Sequence, residues 1–130
     1  MDKKEIWTKI EKTNLLPLAF LGDSVHTLFV REKTLLGTDS KMANYHSLSS
    51  KFCKASAQAK ALEKITPLLS EKESEIVRRP RNAHPKHSAK NASSRDYSMA
   101  TAFEALIGYL YLTEQTERLN KILEISTTEE

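Results

Sequence analysis

The sequence predicts an all-α protein in which amphipathic helices surround one hydrophobic core. Apolar residues recur three and four positions apart along most of the chain, which is the spacing of one helix face. No segment alternates apolar and polar residues strongly enough to predict a strand, and glycine occupies only 3 of 130 positions. A chain of this length forms one core, so we expect a single domain over residues 1–130, with its core at about 15–112 and a polar tail at 126–130.

The first half of the chain predicts three helices. Apolar spacing at 6–10 favours a short first helix. A long second helix is expected to begin after Asn14, which is suited to capping, with Pro17 in its first turn. It should stop at Gly37, because glycine commonly follows the last helical turn. Residues 44–65 are rich in Ala, Lys, Leu and Gln and predict another long helix.

The second half predicts three more helices. Ser70 and Glu73 form a capping box that opens one helix, and we expect that helix to end at Pro80. The most apolar helix is predicted over 96–112, and a last helix over 113–125.

Composition excludes several classes of protein. The single cysteine, Cys53, excludes an internal disulfide and a cysteine-based zinc site. The longest stretch without a charged residue, 13–22, is too short to span a membrane. Residues 1–12 carry charges throughout and no apolar signal core. We therefore expect a protein of the reducing cytoplasm.

Positive charge is concentrated in two segments, although the net charge is only +3. Residues 78–95 hold six Lys or Arg and no acid, and residues 41–64 hold five Lys and one acid. A single basic run is as readily a solvated loop, but two runs in so small a domain favour nucleic acid as the partner. Residues 81–94 also have no large apolar residue and form a long loop for a compact domain, which favours a functional role.

Two acidic residues lie in the most apolar segments. Asp23 is the only charged residue in 15–30, and Glu104 is the only one in 98–112. Carboxylates in such surroundings are costly unless they are paired or bind a cation, and no Lys or Arg lies three or four residues from either acid. Each could instead reach a helix terminus or a distant basic side chain. The simplest explanation is that they meet and share Mg²⁺, which prefers oxygen ligands and supports phosphodiester hydrolysis beside a basic loop.

Three segments resemble the ribonuclease III family. They read LAFLGDSV at 18–25, RRPRNAHPKHSAKNAS at 78–93 and FEALIGYLYL at 103–112. The small size, without a double-stranded-RNA-binding domain, makes the chain most similar to the Mini-ribonuclease III branch of that family. The resemblance extends over about 15–112 and therefore over most of the chain.

The resemblance implies the helical fold of the ribonuclease III endonuclease domain, a homodimer, and two active sites across the dimer groove. It implies an Mg²⁺-dependent endoribonuclease that cleaves double-stranded RNA and matures the ends of the large-subunit (23S) ribosomal RNA precursor in the bacterial cytoplasm. Ribosomal protein L3 is a candidate partner. Asp23 and Glu104 match the catalytic metal ligands, and Phe20 matches an aromatic residue that fills a pocket on the partner subunit.

The sequence departs from full-length ribonuclease III at three positions. Ala19 and Thr101 stand where that family has a glutamate and an aspartate, so two of its four acids remain. Whether the site holds one metal ion or two is therefore open. Pro80 stands where glycine is expected in the basic loop.

An RNA duplex offers phosphates, 2′-hydroxyls and shape rather than readable base edges, so basic and amide side chains should hold it. The residues expected to do so are Lys51, Lys54, Arg78, Arg79, Arg81, Asn82, Lys86, Lys90 and Asn91. The alternative function is a non-catalytic RNA-binding or ribosome-associated helical protein. It explains the charge distribution equally well but leaves Asp23 and Glu104 without a purpose.

Overall fold

The computed structural model describes residues 1–37, 41–82 and 93–128. Within these ranges the chain forms seven α-helices and no strand, which confirms the all-α prediction. The helices are α1 (Lys3–Lys12), α2 (Leu16–Gly37), α3 (Met42–Cys53), α4 (Ala55–Ile65), α5 (Glu71–Asn82), α6 (Ser94–Leu112) and α7 (Thr116–Ser126), with a short 3-10 helix at Thr66–Leu68. In the described ranges, no helix is both long and apolar enough to cross a membrane.

Helix α6 is the centre of the fold. Helices α2, α4 and α5 pack against it, α3 covers α2, and α7 lies against α4 and α6. Most of its apolar side chains are buried, and Phe103, Leu106 and Leu110 are fully so. This position explains why α6 is apolar on nearly all of its faces, as is expected for a helix enclosed by others.

Helices α2 and α6 cross with their backbones in contact at two glycines. A Cβ atom placed on Gly22 would lie 1.8 Å from the carbonyl oxygen of Glu104, and one placed on Gly108 would lie 2.0 Å from that of Leu18. Only glycine has no side chain to block so close an approach. The crossing places the residue after Gly22, which is Asp23, beside the helix turn that carries Glu104.

Several predicted helix boundaries are confirmed by their hydrogen bonds. The Asn14 side-chain oxygen accepts a hydrogen bond of 2.9 Å from the Leu16 amide at the start of α2, and α2 ends at Gly37. The capping box forms in both directions: the Ser70 amide donates to Glu73 at 2.8 Å, and the Glu73 amide donates to the Ser70 hydroxyl at 3.1 Å.

The single helix predicted over 44–65 is wrong, because the structure has two helices there. Lys54 separates α3 from α4 in an extended conformation, with φ −72° and ψ 155°. The break lets α3 pack on α2 while α4 packs on α6 and α7. Neither proline nor glycine marks it in the sequence, so packing between helices overrides local propensity at this point.

The prediction that Pro80 ends its helix is also wrong, because α5 continues to Asn82. Proline inside a helix loses one backbone hydrogen bond and disfavours the preceding turn. Pro80 is buried and borders a small cavity with the connection between α1 and α2, residues 13–16. A smaller correction concerns the last helix, which begins at Thr116 rather than at 113, after Glu114 adopts a left-handed φ of 59°.

Candidate active site

The structure brings Asp23 of α2 and Glu104 of α6 together. Their side chains form a hydrogen bond with each other at the close crossing of the two helices. Asp23 is exposed to solvent, whereas Glu104 is half-buried. The two carboxyl groups therefore form one site that is closed by the core on the side of α6 and open to a ligand on the side of α2.

Burial and the neighbouring acid make Glu104 hard to ionise. The pKa of Glu104 is raised to about 9, first by burial and then by its hydrogen bond to Asp23 and the charge of that residue, against a smaller opposing effect of Gln58. In the absence of a cation, the Glu104 carboxyl therefore keeps its proton at neutral pH. A bound cation would take the place of that proton, because it stabilises both carboxylates at once.

The residues present fit a magnesium ion. Mg²⁺ usually takes one or two protein carboxylates and completes its shell with water and substrate phosphate. Asp23 and Glu104 supply that number of oxygen ligands. In the three ranges that the structure describes, no group of three or more His, Cys, Asp or Glu residues could enclose a metal. The site is thus suited to an ion that both carboxylates bind and whose coordination shell is completed by water and a substrate phosphate.

The two positions that depart from the family pattern add no carboxylate here. Ala19 is buried on α2. Thr101 is half-buried on α6, and its hydroxyl donates a hydrogen bond of 3.0 Å to the Tyr97 carbonyl oxygen.

Sequence reasoning missed two polar residues behind the carboxylates. His26 is 1% exposed on α2 and Gln58 is 3% exposed on α4, and the Gln58 Nε2 and His26 Nδ1 atoms are 3.3 Å apart. Burial lowers the pKa of His26 to about 4, against the opposing charge of Asp23. The four histidines are scattered along the sequence and form no zinc signature, so their spacing did not point to His26. Its position three residues after Asp23 in an apolar helix was the available signal.

The basic residues that the structure describes are distributed over three elements. Lys51 is exposed near the end of α3, Lys54 is exposed at the break before α4, and Arg78 is exposed on α5. Arg79 is half-buried, and its guanidinium donates a hydrogen bond of 3.1 Å to the Glu11 carbonyl oxygen. This guanidinium is therefore engaged in holding α1.

Of the remaining residues predicted to contact RNA, two lie in a described helix and three do not. Arg81 and Asn82 belong to the last turn of α5. Lys86, Lys90 and Asn91 lie outside the described residues.

Phe20, the residue predicted at a dimer interface, is 85% exposed on the outer face of α2. Leu16 and Leu28 lie on the same helix and are 45% and 66% exposed. The described residues therefore leave part of the outer face of α2 exposed.

Comparison with known proteins agrees with this fold. Residues 16–115 match the Ribonuclease III domain. The chain therefore belongs to the ribonuclease III family, and the resemblance seen in its motifs is confirmed. It is an endoribonuclease, and the substrate class of this family is double-stranded RNA.

Within the family, the chain is similar to Mini-ribonuclease 3 proteins. It is 41% identical to Mini-ribonuclease 3 of Thermoanaerobacter sp. (strain X514), with 97% of this chain and 90% of that one covered. It is 43% identical to Mini-ribonuclease 3 of Brevibacillus brevis, with 95% and 92% covered. An X-ray structure of a protein from Fusobacterium nucleatum superposes with a TM-score of 0.81 at 30% identity and covers 89% of this chain and 93% of that one.

Proposed function

We propose that Asp23 and Glu104 together hold a Mg²⁺ ion and that cleavage of double-stranded RNA by this chain depends on it. The observation that carries the proposal is the meeting of the two carboxyl groups at the Gly22–Gly108 crossing. No Lys or Arg lies one helical turn from either acid on its own helix, so a cation is the economical reason for placing them together.

The two acids have different parts in this proposal. Glu104, in its ionised form, would supply a ligand from the core side. Asp23, which is exposed, supplies a ligand from the open side, where an RNA phosphate can approach. When bound, the ion lowers the pKa of water and stabilises the charge that develops on the phosphate. The chain needs no side-chain nucleophile for this reaction.

The basic residues would position the duplex. Lys51 and Lys54 are exposed beside α4, and Arg78 is exposed on α5. We propose that these three contact RNA phosphates, together with Arg81, Asn82 and the loop that follows. Such contacts fix the position of an RNA without reading its bases. Arg79 would contribute by holding α5 against α1 rather than by free contact with RNA.

We further propose that the active protein is a homodimer through the outer face of α2. Phe20 is the most exposed large apolar side chain of the described residues, at 85%. Leu16 and Leu28 extend the apolar surface along the same helix. Exposed apolar patches of this kind mark interaction sites, and a second copy of the chain would cover them.

The finer biological assignments rest on the resemblance. We propose maturation of the 23S ribosomal RNA precursor as the reaction, the bacterial cytoplasm as the location and ribosomal protein L3 as a candidate partner. The similarity to Mini-ribonuclease 3 proteins over nearly the whole chain supports the resemblance on which these assignments rest.

Cleavage of a long RNA duplex with and without Mg²⁺ tests the proposal. Asp23→Asn and Glu104→Gln should each lower kcat by several orders of magnitude, because metal-based charge stabilisation contributes several kcal/mol. The double variant should be no slower than either single one, since the residues act as a unit. Glu32→Gln, which changes another exposed acid of α2, should cleave like the parent. Metal-independent cleavage, or normal cleavage by Asp23→Asn, would contradict the proposal.

A further inference from the structure

Behind the two carboxyl groups lies a buried polar pair that the proposed mechanism does not use. Gln58 comes from α4 and His26 from α2, and they are 3% and 1% exposed. Both are surrounded by the hydrophobic core, where polar groups are kept only when they are hydrogen-bonded. The amide of Gln58 contacts His26 on one side and Glu104 of α6 on the other. Three helices thus meet at one amide group.

The chemistry of the groups determines the direction of the hydrogen bonds. Gln58 Nε2 lies 3.3 Å from His26 Nδ1, and an amide nitrogen can only donate. His26 is buried and neutral, so its Nδ1 accepts and its Nε2 carries the proton. The same Gln58 nitrogen has a second hydrogen, and donation of that hydrogen to Glu104 stabilises the ionised carboxylate. One NH₂ group therefore serves both neighbours.

The histidine is itself fixed in place. Its ring packs edge-on against Phe103, with 5.2 Å between the ring centroids and 88° between the planes. Phe103 is fully buried and directly precedes Glu104 in α6. The imidazole consequently has little freedom to turn, and the amide that donates to it is held in one orientation.

We propose that Gln58 is a positioning residue that, held by His26, fixes the Glu104 carboxylate in the orientation needed to hold the metal. The inference rests on the proposed metal site and adds two residues that support it. Partners that orient a metal ligand from behind typically change metal affinity by about 10- to 100-fold when they are removed. Gln58 faces the core rather than RNA, so its effect should fall on metal binding and not on KM for RNA.

Mn²⁺ binding to the free full-length protein, followed by electron paramagnetic resonance without RNA, tests this role. Gln58→Met keeps the length of the side chain but removes the amide, and it should weaken Mn²⁺ binding by about 10-fold or more. His26→Phe keeps an aromatic ring against Phe103 and removes the Nδ1 acceptor together with the Nε2–H donor while leaving the Gln58 amide in place, so a smaller loss in the same direction is expected. The double variant should bind no more weakly than Gln58→Met alone, because His26 acts through Gln58.

Two controls separate positioning from general stability. Thr127→Val removes a different buried polar group, a hydroxyl that accepts a hydrogen bond of 2.9 Å from Lys33. It should leave Mn²⁺ affinity unchanged. Thermal unfolding identifies any variant that does not fold. If Gln58→Met fails to fold, His26→Phe carries the test, and normal Mn²⁺ affinity in that variant overturns the inference.

The parent and Asp23→Asn distinguish failure of this inference from failure of the metal site. If Asp23→Asn abolishes Mn²⁺ binding while folded Gln58→Met binds like the parent, the positioning role is overturned and the metal site stands. If Asp23→Asn binds Mn²⁺ like the parent, the proposed metal site itself is overturned, and the positioning role with it. Weaker binding by Gln58→Met with an unchanged KM for RNA supports the role.

Discussion

Gly22 and Gly108 determine how closely the two acidic residues approach each other. Each glycine lies where a Cβ atom would meet the backbone of the opposite helix at 2.0 Å or less. The carboxyl groups of Asp23 and Glu104 share a hydrogen bond because these backbones touch. The geometry of the site therefore depends on the absence of two side chains as much as on the presence of two acids.

Gly22→Ala should separate α2 from α6. The added methyl group would lie 1.8 Å from the Glu104 carbonyl oxygen, and overpacking against rigid backbone costs about 1–3 kcal/mol or more. We expect a lower free energy of unfolding in urea and, because the carboxyl groups move apart, much slower cleavage. Gly37→Ala is the matched control, since a Cβ there meets nothing within 4 Å. Equal free energies of unfolding for the two variants would contradict this prediction, because they would show that α2 and α6 accommodate the added methyl group without cost.

The sequence predicted the two acids of the site but not their surroundings. A single charged residue in an apolar segment can be recognised from the sequence alone, and this pattern predicted Asp23 and Glu104. The partnership of Gln58 with Glu104 joins residues 46 positions apart on different helices, so no local pattern contains it. No local pattern marks Gly22 and Gly108 either, because their close approach to backbone involves the opposite helix.

Helix boundaries were predictable where local chemistry sets them and not where packing does. The Asn14 cap and the Ser70–Glu73 capping box were correct because their hydrogen bonds join residues two or three positions apart. The break at Lys54 and the passage of α5 through Pro80 were missed. Both depend on which distant helix or connection each segment packs against.

The capping box of α5 also ties that helix to α7. Glu73 is buried, and Arg118 of α7 donates hydrogen bonds of 2.7 and 2.9 Å to its two carboxylate oxygens. These bonds, against the opposing effect of burial and with further help from Ser70, lower the pKa of Glu73. The pair should therefore contribute stability above the ordinary glutamate pKa, and that contribution should disappear as pH falls through the lowered value.

Arg118→Met should lower the free energy of unfolding by about 2 kcal/mol at pH 7, because it leaves a buried carboxylate without its charged donor. The difference from the parent should shrink as pH falls below about 4, where Glu73 becomes protonated in the unfolded chain and then in the folded one. Urea unfolding across this pH range measures it. Arg95→Met, which breaks an exposed pair with Glu63, should change little. A pH-independent difference for Arg118→Met would argue against the ionic origin.

Among the described residues, α6 is enclosed by other helices and the outer face of α2 is exposed. Helix α6 is surrounded by α2, α4 and α5, whereas the outer face of α2 carries Phe20 and Leu28 into solvent. Asp23 is exposed on the same helix. A dimer through α2 would therefore bring the open side of each metal site toward the groove between two copies.

Phe20→Ala should convert the proposed dimer to monomer at micromolar concentration, because a largely exposed aromatic side chain is a typical interface anchor. Sedimentation velocity over a concentration series measures the change, and cleavage should fall in parallel with the dimer fraction. Leu36→Ala removes another exposed apolar side chain at the far end of α2 and should leave the dimer intact. A parent protein that is monomeric throughout the series would contradict the proposed assembly.

Anomalous diffraction from crystals grown with Mn²⁺ in place of Mg²⁺ tests the central claim most directly, because it locates the ion without relying on activity. We expect one anomalous peak at about 2.1 Å from a carboxylate oxygen of Asp23 and from one of Glu104, and no such peak in crystals of Asp23→Asn. A peak elsewhere in the protein, or a hydrogen-bonded Asp23–Glu104 pair that stays free of metal at saturating Mn²⁺, would contradict the account.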